Sequence, residues 1–124
     1  MLMSLHEISS KLALSLPETS CSQPFGEGCD VFKVMDKMFA LASTHEGKAM
    51  VNLKVEPEHG VMLRDTYPFI QEGYYMNKQH WVSVYENDDL DQDLLHDLIL
   101  SSYELVVSKL KKADRLRIEQ LKGD

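Results

Sequence analysis

Apolar positions recur along this chain with two different periods, and the places where the period changes mark the ends of elements. Leu5, Ile8, Leu12 and Leu16 fall three or four residues apart, the spacing of one helix face. Ser4 and Glu7 bracket the start of that stripe as a capping box, and Pro17 stops it. The stretch from Glu18 to Gly28 holds Pro24, Gly26, Gly28 and several serines, and it reads as loop. From Asp30 the period becomes two: Phe32 and Val34 alternate with Val31 and Lys33. Met35-Asp36 turns the chain into a second strand, Lys37 to Ala42. A turn over Thr44 to Lys48, with Gly47, leads into Val51, Leu53 and Val55, which alternate with Asn52 and Lys54 as a half-buried strand.

Pro57 and Glu58 suit the first turn of a helix, one for its fixed φ and the other for the positive end of the macrodipole. That helix is predicted to reach about Thr66, burying Val61, Met62 and Leu63, with Pro68 beyond its end. Phe69–Tyr75 reads as a short strand and His80–Tyr85 as a firmer one. Asn87-Asp88-Asp89 is a turn, and Asp89 or Asp91 caps the longest helix, about Asp91 to Lys111. Its stripe runs through Leu95, Leu98, Ile99, Tyr103, Val106 and Leu110. The order α-β-β-β-α-β-β-α predicts an α+β domain, a single antiparallel sheet of about five strands covered by three helices. Phe32, Val34, Leu53, Val82, Val84, Leu98 and Val106 are its expected core.

With 124 residues the chain suffices for one domain, residues 1–124, with one core. It contains no apolar run long enough to span a membrane, and its start lacks the basic and apolar regions of a signal peptide, so the cytoplasm is expected. The net charge of −7 opposes broad binding to nucleic acid but leaves room for a local basic patch. Cys21 and Cys29, eight positions apart, match neither a redox pair nor a zinc pair, and read as free thiols.

Candidate chemistry is concentrated in Gly73-Tyr74-Tyr75-Met76-Asn77-Lys78-Gln79-His80-Trp81, which holds the only tryptophan. Dense aromatic and hydrogen-bonding groups at a strand entrance suit recognition, and aromatics also serve as cover for a sheet. Asn77, Lys78, His80 and Trp81 are candidates for contact with a ligand, a partner or a nucleic-acid backbone. Lys33 and Lys37 flank the Met35-Asp36 turn, and Lys54 lies on the next strand. They suit phosphate, although lysine is also what exposed strand positions carry, and Asp36 at the tip opposes an anion. Acids from Glu86 to Asp97 precede or open the last helix, and Lys109, Lys111, Lys112, Arg115 and Arg117 follow at or beyond its end. That pattern complements the helix dipole, each charge by roughly 0.3–1 kcal/mol.

The five histidines lack metal spacing, and Gly47-Lys48 lacks the first glycine and the Ser or Thr of a phosphate loop. No nucleophile with a companion base can be assigned from spacing. The reading is therefore of a protein that is not an enzyme and carries no cofactor or metal.

Together with Gly73–Trp81, the runs Val31-Phe32-Lys33-Val34, Lys37–Leu41, Val51–Lys54, Pro57-Glu58, Leu63-Arg64, Tyr67-Pro68 and Ser102–Val106 closely resemble the MmcQ/YjbR family of small bacterial proteins. The resemblance runs from about Leu5 to Arg115. It implies an α+β fold like that of small secretion chaperones. The family has no settled biochemical activity. The resemblance also implies DNA binding through a wing-like hairpin, here carrying Lys33 and Lys37, with Lys54, Arg64 and the 73–81 segment beside it. Glycine is frequent at the hairpin turn of the family, where this chain has Met35-Asp36. The alternative is a protein-interaction or chaperone-like adaptor using the same surface.

Overall fold

The computed structural model describes residues 4–122. Along the chain lie α1 (Leu5–Ser15), β1 (Thr19–Ser22), β2 (Asp30–Val34), β3 (Lys37–His45), β4 (Lys48–Lys54), α2 (Pro57–Thr66), β5 (Ile70–Glu72), β6 (Trp81–Tyr85), α3 (Gln92–Ser108) and α4 (Lys112–Lys122). The strands form one sheet in the order β1-β2-β3-β4-β6-β5, antiparallel at every pairing. The α+β class and the antiparallel sheet are those the period changes predict. The described residues add one strand and one helix to the expected five and three.

The added elements are β1 and α4, and both are weakly apolar. Thr19-Ser20-Cys21-Ser22 is an exposed edge strand, held by its ladder to β2 rather than by burial, so no alternation betrays it. Polar α4 buries only Ile118 and is tied down by Arg117 to Glu18 at 3.2 Å and Lys122 to Glu104 at 3.6 Å. The expected burial of Val61 and Met62 is corrected: both are exposed, and α2 seats through Leu63 and Gly60. A Cβ on Gly60 would stand 3.0 Å from Val55, so the bare backbone sets how closely α2 approaches the sheet. The expected strand Phe69–Tyr75 shrinks to Ile70–Glu72, and β6 begins at Trp81 rather than His80.

The two tight hairpin turns, β2–β3 and β3–β4, run through residues with positive φ, the geometry that matches the twist of paired strands. In the β2–β3 turn Met35 and Asp36 hold φ of 48° and 69° without a glycine. Met35 compensates by packing against the core, and its N–H donates to the Glu18 carbonyl at 3.2 Å. In the β3–β4 turn Glu46 and Gly47 hold 52° and 79°, which lets β3 extend to His45 and β4 start at Lys48.

α1 and α3 cover one face of the sheet. Phe32, Val34, Leu53, Val82, Val84, Leu98 and Val106 are all buried in the core beneath them, as the alternation and the helix stripe require. Ser102, buried in α3, donates to the Phe39 carbonyl at 2.6 Å and accepts from the Lys54 N–H at 2.8 Å. These bonds fix where the helix sits along the sheet. The opposite face carries a smaller cluster of Val31, Leu41 and Met50, against which Cys29, Met38, Tyr74 and Tyr85 pack. Cys21 pairs with Phe32 on the helix side while Cys29 packs on the other, so the two free thiols lie on opposite faces.

The Tyr103 hydroxyl donates to the Pro17 carbonyl at 2.7 Å, joining α3 to the end of α1. Burial, then the Glu104 and Glu18 carboxylates, push its pKa up to about 12 from 10. A phenol whose ionisation the fold suppresses contributes stability that is complete below pH 10 and lost as pH rises through about 12. Thermal unfolding followed by circular dichroism should show the melting temperature falling across that interval. The fall should be shallower in Tyr103→Phe, and an identical slope in both proteins would refute the assignment.

Candidate functional site

The segment after β5 folds back over the sheet face that the helices leave open. Gly73 extends the ladder by one bond, its N–H donating to the Trp81 carbonyl at 3.1 Å. The Tyr74 N–H then donates to Ser83 Oγ at 2.8 Å, and Asn52 Nδ2 donates to the Tyr74 carbonyl at 2.9 Å. Asn52 and Ser83 oppose each other on β4 and β6, and Ser83 Oγ donates to Asn52 Oδ1. Both side chains are buried, so the loop is fastened down by a polar pair with no access to water.

The loop also uses the groups that looked free in the sequence. Met76 N–H donates to the Gly73 carbonyl at 3.2 Å, and Lys78 Nζ donates to the same carbonyl at 3.0 Å. Asn77 Oδ1 accepts from the Gln79 N–H at 2.9 Å, closing its own turn. His80 is exposed, and its carbonyl accepts from the Val55 N–H at 2.8 Å. Trp81 is buried and paired with Lys54, which makes it cover for the sheet rather than a platform for a ligand ring.

The ring that the loop does display is Tyr75, 85% exposed and held at a φ of 65°. Tyr74 lies parallel to His45, centroids 3.5 Å apart, and 4.0 Å from Tyr75. At those separations two rings cannot share one face of Tyr74, so His45 and Tyr75 flank it on opposite sides. His45 Nδ1 and the Tyr85 hydroxyl are hydrogen-bonded at 2.8 Å. Burial, then Glu46, raise the pKa of Tyr85 above the ordinary phenol value.

Beside this column runs an open groove of about 690 Å³. Two residues singled out in the sequence, Arg64 and Lys78, meet there with Lys48, facing Glu46, Glu72 and Glu86. Lys48, His45 and Tyr85 gave no sequence signal as a site, and Tyr74 only as part of the 73–81 segment, because their convergence depends on how the hairpin tip and the loop fold. A smaller groove of about 480 Å³ between α2 and α3 is floored by Leu53, Val55 and Leu98.

The strand lysines lie elsewhere. Lys33 and Lys37 flank the β2–β3 turn, and Lys54 ends β4 at the same end of the sheet. The C-terminal half of α3 points to that end, because Ser102 bonds Phe39 and Lys54 there; Lys109, Lys111 and Lys112 follow. The acids from Glu86 to Asp97 gather at the opposite end, where the Glu86 N–H donates to the Ala49 carbonyl at 3.0 Å. Lysines thus gather at one end of the sheet and the Glu86–Asp97 acids toward the other, although Glu56 and Glu104 stand near Lys54, Glu18 and Asp36 lie at the β2–β3 turn, and Lys48 shares a groove with Glu86. Among the described residues, no group of three His, Cys, Asp or Glu side chains could share a metal ion, and no helix is long and apolar enough to cross a membrane.

Gly73 is the tightest point of the loop: a Cβ there would stand 2.7 Å from Trp81 Cβ and 3.0 Å from the Trp81 carbonyl oxygen. Neither atom can swing aside. Gly73→Ala should therefore lower stability by about 1–3 kcal/mol in urea unfolding. A loss below about 0.5 kcal/mol would show that the loop reseats freely.

Comparison with known proteins places this architecture. The chain is 44% identical over 115 residues to the uncharacterized protein YbdF of Escherichia coli O157:H7, covering 93% of this chain and 94% of that one. It is 32% identical over 89 residues to the uncharacterized protein YjbR of Escherichia coli K12, covering 72% and 75%. A crystal structure of a Deinococcus radiodurans protein with a DUF419 domain superposes with a TM-score of 0.83 at 35% identity, covering 94% of this chain and 88% of that one. One from Pseudomonas syringae gives 0.70 at 27% identity, covering 83% and 98%. The YjbR family model matches residues 14–105, and the chain belongs to the YjbR family.

Proposed function

We propose that this chain is a cytoplasmic, non-enzymatic binding protein that docks on nucleic acid through the basic end of its sheet. The observation that carries the reading is the gathering of Lys33, Lys37, Lys54 and the lysines after α3 at one end of the sheet. A net charge of −7 repels phosphate only where the acids lie within reach. Screening limits that reach to about 8–10 Å at physiological salt. Asp91, the cap of α3, stands roughly 25 Å from the helix's far end at 1.5 Å per residue, and Asp97 roughly 16 Å. A strand passing the β2–β3 turn meets Lys37, which is exposed, and Lys33, which is half-buried, with Lys54 and the lysines beyond α3 on the same end. Asp36 at the tip, Glu18 beside the turn, and Glu56 and Glu104 near Lys54 weaken the attraction. Of the buried polar side chains Ser9, Asn52, Ser83 and Ser102, all but Ser9 are occupied by structural bonds.

A second reading is a protein-interaction or chaperone-like adaptor. Phe25, 72% exposed in the β1–β2 loop, favours it, since a large bare ring suits the centre of a protein contact.

A binding titration against mixed-sequence DNA at two salt concentrations separates these readings. The wild type should bind more weakly as salt rises. Lys37→Ala should weaken binding to every sequence alike and reduce the salt slope by about one phosphate contact. Absence of binding at micromolar protein in low salt would discard the nucleic-acid reading and leave the adaptor.

A further inference from the structure

We infer that the free edge of β1 pairs with the same edge of a second copy of this chain, joining the two sheets into one. The edge is open by its hydrogen bonding. The Met35 N–H donates to the Glu18 carbonyl, and rungs of an antiparallel ladder recur at every second residue, so Ser20 and Ser22 turn their backbone groups toward β2. The N–H and C=O groups of Thr19 and Cys21 therefore point away from the sheet, and Ser20, Cys21 and Ser22 are exposed. The opposite edge of the sheet is short and covered: Ile70 of β5 is 1% exposed, with α2 packed against that strand. β1 also lacks what usually guards an edge, since Thr19-Ser20-Cys21-Ser22 holds no lysine, no proline and no charge.

One register satisfies all the outward groups. A two-fold axis at Ser20 sets Thr19 opposite the partner's Cys21, so that each outward N–H meets an outward carbonyl. The side chains at the joint are Ser, Thr and Cys, too small to obstruct it. The same axis brings together what lies beyond the two ends of the strand. After Ser22 the loop exposes Phe25, 72% bare, and Glu27. Before Thr19, α1 packs on β1 while exposing Leu14 and, one turn earlier, Lys11. An open groove of about 660 Å³ begins at Leu14, lined also by Leu16, Thr19 and Met35 with Glu18 and Asp36. Antiparallel pairing carries Phe25 of each copy toward this groove of the other. Lys11 and Glu27, neither with an opposite charge within 4.0 Å among the described residues, then approach one another twice across the axis. Glu18 is already held by Arg117 at 3.2 Å; Asp36 opposes Glu27, and Lys11 offsets it. The net charge of −7 on each copy is screened beyond about 8 Å at physiological salt and leaves these short contacts in place. A foreign strand would fill the ladder without supplying Phe25 and Glu27, so a second copy is the better fit. Roughly fifteen residues a side, against the 20–30 of a standard interface, make the pairing weak and concentration-dependent.

The inference rests on neither reading proposed above. Sedimentation equilibrium of the whole protein in reductant should show a monomer–dimer equilibrium. Cys21→Pro removes an outward N–H and no bond to β2, so it should abolish the dimer while leaving the melting temperature of the dilute monomer nearly unchanged. Phe25→Ala should weaken the dimer by roughly tenfold, as the loss of an interface ring does. With Cys21 and Cys29 changed to serine, Ser20→Cys should give a disulfide-linked dimer under mild oxidation, since the two positions meet about 4.5 Å apart at Cα. Ser22→Cys in the same background lies two residues off the axis and should not. Lys37→Ala should leave the dimer unchanged, so failure here and failure of DNA binding are read separately. A wild type that stays monomeric up to millimolar protein would overturn the inference and leave the edge to a strand of another protein. A dimer that survives Cys21→Pro, or equal linking through Ser20→Cys and Ser22→Cys, would overturn it as well.

Discussion

The hydrogen-bonded pair of Asn52 and Ser83 decides what the exposed side of this sheet becomes. The two side chains oppose each other on neighbouring strands, fully buried, and each also bonds the backbone of Tyr74. Burying an amide and a hydroxyl without partners would cost several kcal/mol, so the arrangement is stable only with the loop in place. With the loop in place, Tyr74 helps cover Val31, Leu41 and Met50, which would otherwise form a bare apolar patch. The wall of the groove, the fixed position of Lys78 and the display of Tyr75 all follow from the same three bonds. Buried Ser102 does the equivalent on the helix side, where it ties α3 to β3 and β4 at once.

Charge segregation follows from a second constraint. A long helix is stabilised by acids at its start and bases at its end. Asp91 caps α3, Asp93 lies in its first turn, and lysines come after its end. Once Ser102 fixes how α3 lies on the sheet, the helix's local preference becomes a property of the whole molecule, with the lysines of the β2–β3 hairpin at the basic end. Folding preference and phosphate attraction thus draw on the same residues, and the charge pattern alone does not say which of them it serves.

The elements that bury apolar side chains were legible in the sequence, and those that do not were hidden. The alternation at Val51, Leu53 and Val55 and the stripe from Leu95 to Leu110 each reported a real buried face. β1 and α4 carry almost no apolar signal because partner strands and ion pairs hold them. Val61 and Met62 misled because a small glycine, not a large side chain, makes the contact of α2 with the sheet. The candidate site was half legible. Arg64 and Lys78 line one groove, whereas Lys33, Lys37 and Lys54 sit at the far end of the sheet. Trp81, the most conspicuous residue in the sequence, is buried, whereas Tyr75 in the same segment is exposed. Side-chain chemistry was readable; which group the backbone would consume was not, since that depends on bonds such as Lys78 to Gly73.

The non-glycine residues with positive φ show why Tyr75 stands apart. Met35 and Asp36 form a hairpin turn, and Met35 recovers the cost by packing on the core. Glu46 occupies the corresponding place in the next hairpin, where paired strands on both sides enforce the geometry. Glu18 accepts the Met35 N–H at its carbonyl and the Arg117 guanidinium at its carboxylate. Each of these strained residues is repaid by a ladder, a core contact or a pair of polar bonds. Tyr75 has a single neighbouring ring and a side chain in water. A glycine would complete the same turn without strain, so folding alone gives little reason for a tyrosine there. The aromatic face it presents to solvent is what that glycine would remove.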